Sequence, residues 1–147
     1  MPSGHEFLEH TADVQVHVWG HSMEALFKET GMVLMSIIVE SGEVRLEKQI
    51  DITVEAEDWE SLIFDWLTEF LYYFDTELFV VGDIDIHELE DREGGEEDRF
   101  IIKSSLKGER YDKERHVPGT EVKAITYSYM KIWQKENQFH MKIVFDI

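Results

Sequence analysis

The sequence is constrained most strongly by an apolar stripe within residues 59–74. The stripe follows i, i+3, i+4 and i+7 spacing, which is that of one face of an α-helix, and consists of Trp59, Leu62, Ile63, Trp66, Leu67, Phe70, Leu71 and Phe74. Asp58 directly precedes it and is a favourable N-cap residue. Because a helix with so wide an apolar face must be covered, the sequence predicts a folded domain with this helix in its core.

Alternating apolar and polar residues predict the strands that pack with this helix. In residues 10–20, HTADVQVHVWG, Val14, Val16 and Val18 alternate with polar neighbours, as in a half-buried strand. Ser22 then has the position of an N-cap for a second helix over residues 23–38. Further strands are predicted over residues 43–57, 79–91, 99–107, 122–133 and 139–145, with an acidic hairpin loop at 91–98, a loop around 116–119 and a turn at 135–137.

These elements indicate the α+β class. We expect a single domain over residues 1–147, in which two main helices pack on one face of a largely antiparallel sheet in two layers. No apolar run approaches the ~18 residues of a membrane span, and the N-terminus lacks the basic and apolar segments of a secretory signal. Cysteine is absent, which excludes disulfides and thiolate metal sites. We therefore expect a cytoplasmic protein, with the nucleus as the alternative in a eukaryote.

The chain is strongly acidic. It has 32 Asp and Glu residues against 14 Lys and Arg residues, a formal net charge of −18. The exception is residues 99–147, which carry 10 basic and 6 acidic side chains. A strongly acidic surface repels phosphate backbones, so we expect no direct binding to nucleic acid. The charge either serves solubility alone or attracts a basic protein.

The common catalytic signatures are missing from this sequence. It contains no phosphate-binding G-x-x-x-x-G-K-[ST], no G-x-S-x-G and no H-E-x-x-H. The histidines do not form a tight ligand pair: His10 and His17 are seven residues apart, which places them on opposite faces of a strand. We therefore do not expect a zinc site built from these two residues.

Two aspartates are candidate metal ligands. Asp13 begins the polar face of the first predicted strand, and Asp146 ends the polar face of the last. Ile147 follows Asp146 and would supply a free α-carboxylate. Hard cations such as Ca²⁺ and Mg²⁺ prefer clusters of oxygen ligands, so these groups suit a metal if the two strands are neighbours. The alternative is that both aspartates are simply solvated.

Lys123 is a second candidate, within the segment GTEVKAITY at residues 119–127. A lysine flanked by apolar residues in a strand either lines a polar pocket or extends along the surface to place its ammonium in water. The pattern alone favours the second interpretation.

Four segments together resemble the archease family: HTADVQVHVWG at residues 10–20, SMEALFKETGMVLM at 22–35, PGTEVKAITYSYMKI at 118–132 and the ending FDI at 145–147. Their order and spacing agree with the family from end to end, whereas residues 75–115 are less characteristic. The resemblance implies a small α+β domain that acts as a protein cofactor, not as an enzyme. It implies that the partner is an RtcB-type RNA ligase in tRNA splicing, whose guanylylation and multiple turnover the cofactor promotes.

The resemblance also assigns roles to individual residues. It implies ligase activation by Asp13, Lys123 and Asp146, and a divalent metal ion, Ca²⁺ or Mg²⁺/Mn²⁺, bound by Asp13, Asp146 and Ile147. Two other functions remain as alternatives: a stand-alone metal-dependent phosphoesterase using the two aspartates, and an RNA-binding module. The first would turn over substrate without a partner. The second would need a basic, aromatic-lined face, against which the net charge argues.

Overall fold

The fold contains two long helices among nine strands, within the residues described by this computed structural model, 3–8, 13–92 and 99–147. In chain order the elements are β1 (Gly4–Leu8), β2 (Asp13–Gly20), α1 (Met23–Ile38), β3 (Val39–Ser41), β4 (Lys48–Ala56), α2 (Trp59–Glu77), β5 (Phe79–Arg92), β6 (Arg99–Arg110), β7 (Val117–Pro118), β8 (Ala124–Lys135) and β9 (Gln138–Asp146). Neither helix is long and apolar enough to cross a membrane.

Both helices begin at the N-caps predicted from the sequence. The Ser22 hydroxyl accepts a hydrogen bond from the Ala25 N–H at 3.0 Å, and the Asp58 carboxylate accepts one from the Ser61 N–H at 2.7 Å. Each bond satisfies one of the N–H groups that a helix start leaves without an intrahelical partner. The α+β class and the two helices are thus confirmed.

The strands do not form the one sheet that we expected. They divide into a four-stranded sheet of order β1-β2-β9-β8, a three-stranded sheet of order β4-β6-β5 and the short pair β3-β7, all antiparallel. Helix α1 contacts β2 of the first sheet and β5 of the second, and α2 contacts β8 and β4. The single-sheet prediction was wrong because periodicity reveals which face of a strand is buried but not which strand is its partner.

Several element boundaries also differ from the predictions. Strands β1 and β3 were not predicted, β4 begins at Lys48 instead of residue 43, and the loop around 116–119 contains the short strand β7. The turn at 135–137 is confirmed, since Glu136 and Asn137 both have positive φ, as in a two-residue hairpin turn. Residues 10–12 and most of the predicted acidic loop, residues 93–98, lie outside the described residues.

The core lies between the helices and the two larger sheets. Trp66 of α2 is fully buried, with Phe27 and Phe70 rings 5.7 and 4.8 Å from its own, and its indole N–H donates to the Ser104 hydroxyl at 2.9 Å. Gly31 permits a close approach of α1, because a Cβ atom there would lie 2.7 Å from Ile84 and 2.9 Å from Phe70. The aromatic stripe is therefore core, as its spacing predicted.

A buried polar network fastens the segment between β6 and β8. The Glu109 carboxylate, 3% exposed, accepts hydrogen bonds from the Arg115 guanidinium and, at 2.7 Å, from the Arg45 N–H. His116 Nδ1 accepts from the Asp112 N–H, so its Nε2 carries the proton and donates toward the Glu43 carbonyl and Glu109. The Arg115 hydrogen bond is the main reason that the pKa of Glu109 is lowered from 4.5 to about 2.

We predict that Trp66→Ala lowers the free energy of unfolding by about 3–5 kcal/mol, because truncation of a core aromatic loses packing and leaves a cavity. Trp66→Phe removes the hydrogen bond to Ser104 with less loss of volume and should cost less. Tyr72→Ala, an aromatic of the same helix that is 56% exposed, is the matched control. Urea denaturation measures all three, and equal losses for Trp66→Ala and Tyr72→Ala would contradict the proposed core.

We predict that Glu109→Gln lowers the free energy of unfolding at pH 7 by about 1.5–3 kcal/mol, the range of hydrogen bonds to charged groups. A carboxyl whose pKa falls on folding stabilises the fold above its ordinary pKa of 4.5, and this contribution is lost as the pH falls through about 2. The difference between wild type and variant should therefore narrow below pH 4.5. Denaturation at several pH values tests this, with the exposed Glu114→Gln as the control; a pH-independent difference would disprove it.

Candidate functional site

Strands β2 and β9 bring the two candidate aspartates together. They pair antiparallel in continuous register from Asp13 opposite Asp146 to Gly20 opposite Phe139. Residues directly opposite in such a pair have Cα atoms roughly 4.5–5.5 Å apart and side chains on the same face. The predicted adjacency of the two strands is confirmed, and both aspartates extend from one face of the sheet.

The register that aligns these aspartates is set by the core. Val16 lies opposite Ile143 and Val18 lies opposite Met141, and all four side chains are fully buried. A slip of one residue would turn one strand's apolar side chains to solvent. The apolar face of the pair therefore determines which polar residues meet at its end.

Lys123 reaches the same end of the sheet from the other side of β9. Its backbone N–H donates to the Asp146 carbonyl at 2.8 Å, and the next residue, Ala124, lies opposite Asp146 in the β8–β9 register. The approach to Lys123 is held by hydrogen bonds from the Gly119 and Thr120 N–H groups to carbonyls at the end of α1. Asp146 thus lies between Asp13 and Lys123, with the Lys123 side chain exposed.

The donor set at this end of the sheet fits a hard divalent cation in its chemistry. Asp13 is partly buried, Asp146 is exposed, and Ile147, which follows at once, is 37% exposed. The two Asp carboxylates are oxygen ligands of the kind that Ca²⁺ and Mg²⁺ prefer, and the resemblance implies that Ile147 would add a third. Among residues 3–8, 13–92 and 99–147, no three His, Asp or Glu side chains are grouped to hold a metal. A site here would therefore depend on the Ile147 carboxylate or on other oxygen ligands.

The cross-strand pair of aspartates has an electrostatic consequence. Like charges directly opposite one another in a sheet destabilise the pairing, and a bound cation would offset that repulsion. Asp13 also makes an interaction of its own within the fold. The arrangement is therefore suited to attracting positive charge at the end of β9.

A histidine pair on the same sheet was not predicted from the sequence. His17 Nε2 lies 3.0 Å from His140 Nδ1, and the indole of Trp133 is nearly parallel to both rings, at 16° and 12°. Burial lowers the pKa of His17, and the neighbouring positive charges of His140 and Lys142 lower it further, while Glu6 opposes them. His10, which we did not expect to form a zinc site with His17, lies outside the described residues.

The sequence pattern indicates the sheet face on which each of these histidines lies, but not that the two histidines are neighbours. Alternation in residues 139–145 places His140 and Lys142 on the polar face of the last strand, and alternation in 13–19 does the same for His17. What brings His17 and His140 together is the β2–β9 register, in which Trp19 lies opposite His140 and His17 opposite Lys142. Strand partners separated so far along the chain cannot be read from local pattern.

Comparison with known proteins agrees with this fold and with the resemblance to the archease family seen along the sequence. The profile of the Archease protein family (MTH1598/TM1083) matches residues 5–147. "Protein archease" of Pyrococcus furiosus is 39% identical over 127 residues, 86% of this chain and 86% of the relative. "Protein archease-like" of Dictyostelium discoideum is 36% identical over 145 residues, 97% of this chain and 92% of the relative.

A solved structure gives the same result for the fold. The solution structure of Methanobacterium thermoautotrophicum protein 1598 superposes with a TM-score of 0.80, covering 98% of this chain and 99% of that chain, at 24% sequence identity. At that identity the likeness bears on the fold alone, whereas the family profile and the two sequence relatives cover most of the chain. The chain belongs to the Archease family.

Proposed function

We propose that this protein activates an RtcB-type RNA ligase in tRNA splicing, promoting its guanylylation and its multiple turnover without catalysing a reaction itself. Membership of the Archease family supports the proposal. The observation that carries it is the position of Asp146 in β9, directly opposite Asp13 on one side and hydrogen-bonded through its backbone to Lys123 on the other. These are the residues to which the resemblance assigns activation.

The proposed surface combines two negative charges and one positive charge at one end of a sheet. Asp13 and Asp146 attract cations, and the exposed Lys123 ammonium attracts phosphate oxygens. The net charge of −18 makes the chain a poor ligand for RNA but a suitable ligand for a basic protein cleft. Presented to a ligase that uses a nucleotide and a metal, the surface would help to position one or both.

The metal itself is a separate part of the proposal. Asp13, Asp146 and the terminal carboxylate of Ile147 would hold a divalent cation, Ca²⁺ or Mg²⁺/Mn²⁺. When bound, such a cation would supply positive charge able to coordinate phosphate oxygens. The two aspartates project from one face of the sheet because their strands are in register, so the protein holds these ligands in place without any rearrangement of β2 or β9.

The first prediction from this proposal concerns activation. Asp13→Asn, Asp146→Asn and Lys123→Ala should each reduce ligase stimulation at least tenfold, with melting temperatures close to wild type because surface changes usually cost within about 0.5 kcal/mol. Matched controls are Asp75→Asn on α2 and Lys135→Ala at the far end of β8, both exposed. Ligation of cleaved tRNA by a cognate ligase under multiple-turnover conditions is the assay.

Three results, one from this assay and two from experiments on this protein alone, would count against the proposal. Full stimulation by Asp13→Asn or Lys123→Ala would show that the surface is misassigned. Turnover by this protein alone, or covalent nucleotide on it after incubation with GTP, metal and cleaved RNA, would favour an enzyme such as the phosphoesterase. Binding of labelled tRNA halves at sub-micromolar concentration and physiological salt would favour the RNA-binding module.

The second prediction concerns the metal. Ca²⁺ or Mn²⁺ should raise the melting temperature of wild type, since a ligand that binds only the folded state stabilises it. The rise should disappear in Asp13→Asn and Asp146→Asn and shrink when a residue is added after Ile147. Without metal, Asp146→Asn should melt at or slightly above the wild-type temperature, because like-charge repulsion is relieved. An undiminished response to metal in both variants would exclude this site.

A further inference from the structure

Strand β8 contains a large irregularity close to the candidate site. In the β8–β9 register Thr126 lies opposite Val144, but the next paired residue, Lys131, lies opposite Lys142. Residues 127–130 of β8 thus face only Ile143 of β9. An insertion of this kind bends the strand and re-aims the side chains within it. The side chains that it presents are the two tyrosines, Tyr127 and Tyr129.

The backbone of this bulge is strained at a tyrosine. Tyr129 has a φ of 59°, in the left-handed region that a bulky side chain adopts only at an energetic cost. The Ser128 N–H donates to the Thr126 hydroxyl at 2.9 Å, which fixes the turn before it. Glycine or asparagine at position 129 would adopt this conformation at less cost. The presence of tyrosine at position 129 therefore does not serve the stability of the bulge.

Both aromatic rings of the bulge are exposed, and the Tyr127 ring is held in place. Tyr129 is 72% exposed and Tyr127 is 52% exposed. The Tyr127 ring stacks on Phe64 of α2 with centroids 4.1 Å apart and planes inclined by 4°, and Met130 packs against the core. Exposed tyrosines often supply much of the binding energy at protein interfaces, because a tyrosine ring has large contact area and loses little conformational freedom when it is buried.

The bulge lies on the strand that begins at the candidate site. Tyr127 is four residues beyond Lys123, about 13 Å along an extended strand. A partner that contacts Lys123 and Asp146 is therefore within reach of the bulge, and the net charge of −18 over the whole chain favours a basic protein as that partner. We propose that Tyr127 and Tyr129 form the apolar anchor by which this protein docks on its RNA ligase, in an apolar pocket of that ligase.

This proposal rests on the proposed function, and its test separates docking from activation. Tyr129→Gly removes the ring and relieves the strained φ, so it should melt at or above the wild-type temperature. It should raise at least tenfold both the dissociation constant for the ligase, measured by calorimetry, and the concentration that gives half-maximal stimulation. Tyr127→Ala should weaken binding similarly, and Tyr127→Phe should restore it. Tyr72→Ala, an exposed aromatic of α2, is the matched control and should bind as wild type.

The outcomes distinguish the two proposals. Asp146→Asn should lower the maximal stimulation reached at saturating concentration, whereas Tyr129→Gly should shift the half-maximal concentration and still reach the wild-type maximum. Wild-type stimulation with unchanged affinity in Tyr129→Gly and Tyr127→Ala would overturn the anchor and leave the proposed function intact. Failure of the wild type to bind or stimulate the ligase would overturn both. A wild-type dimer that Tyr129→Gly converts to monomer in sedimentation would assign the anchor to a second copy and overturn docking on the ligase.

Discussion

The pairing of β2 with β9 is the constraint on which the candidate site depends. It joins the two ends of the chain at the centre of the four-stranded sheet, with Val16 and Val18 buried against Ile143 and Met141. Burial of this apolar face fixes the register of the two strands, and the register determines which polar residues lie opposite each other at the end of the pair. Asp13 and Asp146 are therefore held opposite each other by burial of apolar side chains beneath them, despite the repulsion between their charges.

Core and site are held by different kinds of interaction. The helices are fixed by Trp66 and its aromatic neighbours, and the segment leading to Lys123 by the hydrogen bonds of Glu109, Arg115 and His116. Neither group contributes a residue to β2 or β9, the two strands that contain the aspartate pair. Changes at the aspartates can thus alter charge without loss of packing, which is the property that a surface for binding cations or a protein partner requires.

Local features of the fold were predictable from the sequence, and contacts between distant residues were not. Ser22 and Asp58 cap their helices as expected because capping depends on a few adjacent residues. The buried stripe of α2 and the alternation in β2 and β9 were likewise predictable. The Glu109–Arg115–His116 network, the His17–His140 pair and the bulge at Tyr129 depend on tertiary neighbours, which periodicity does not reveal. The residue pattern alone made Asp13, Asp146 and Lys123 candidates, and only the resemblance to a known family assigned roles to them.

The β2–β9 pairing also determines when a functional surface can exist during synthesis. Strand β2 is made early, but its partner consists of the last residues described, Gln138–Asp146, so closing this pair requires the longest loop in the fold. Until then Val16 and Val18 lack the strand that covers them, and Asp13 lacks Asp146. A chain cut short before β9 would have neither a complete sheet nor an aspartate pair. The surface proposed to act on a ligase is thus a property only of chains translated through β9.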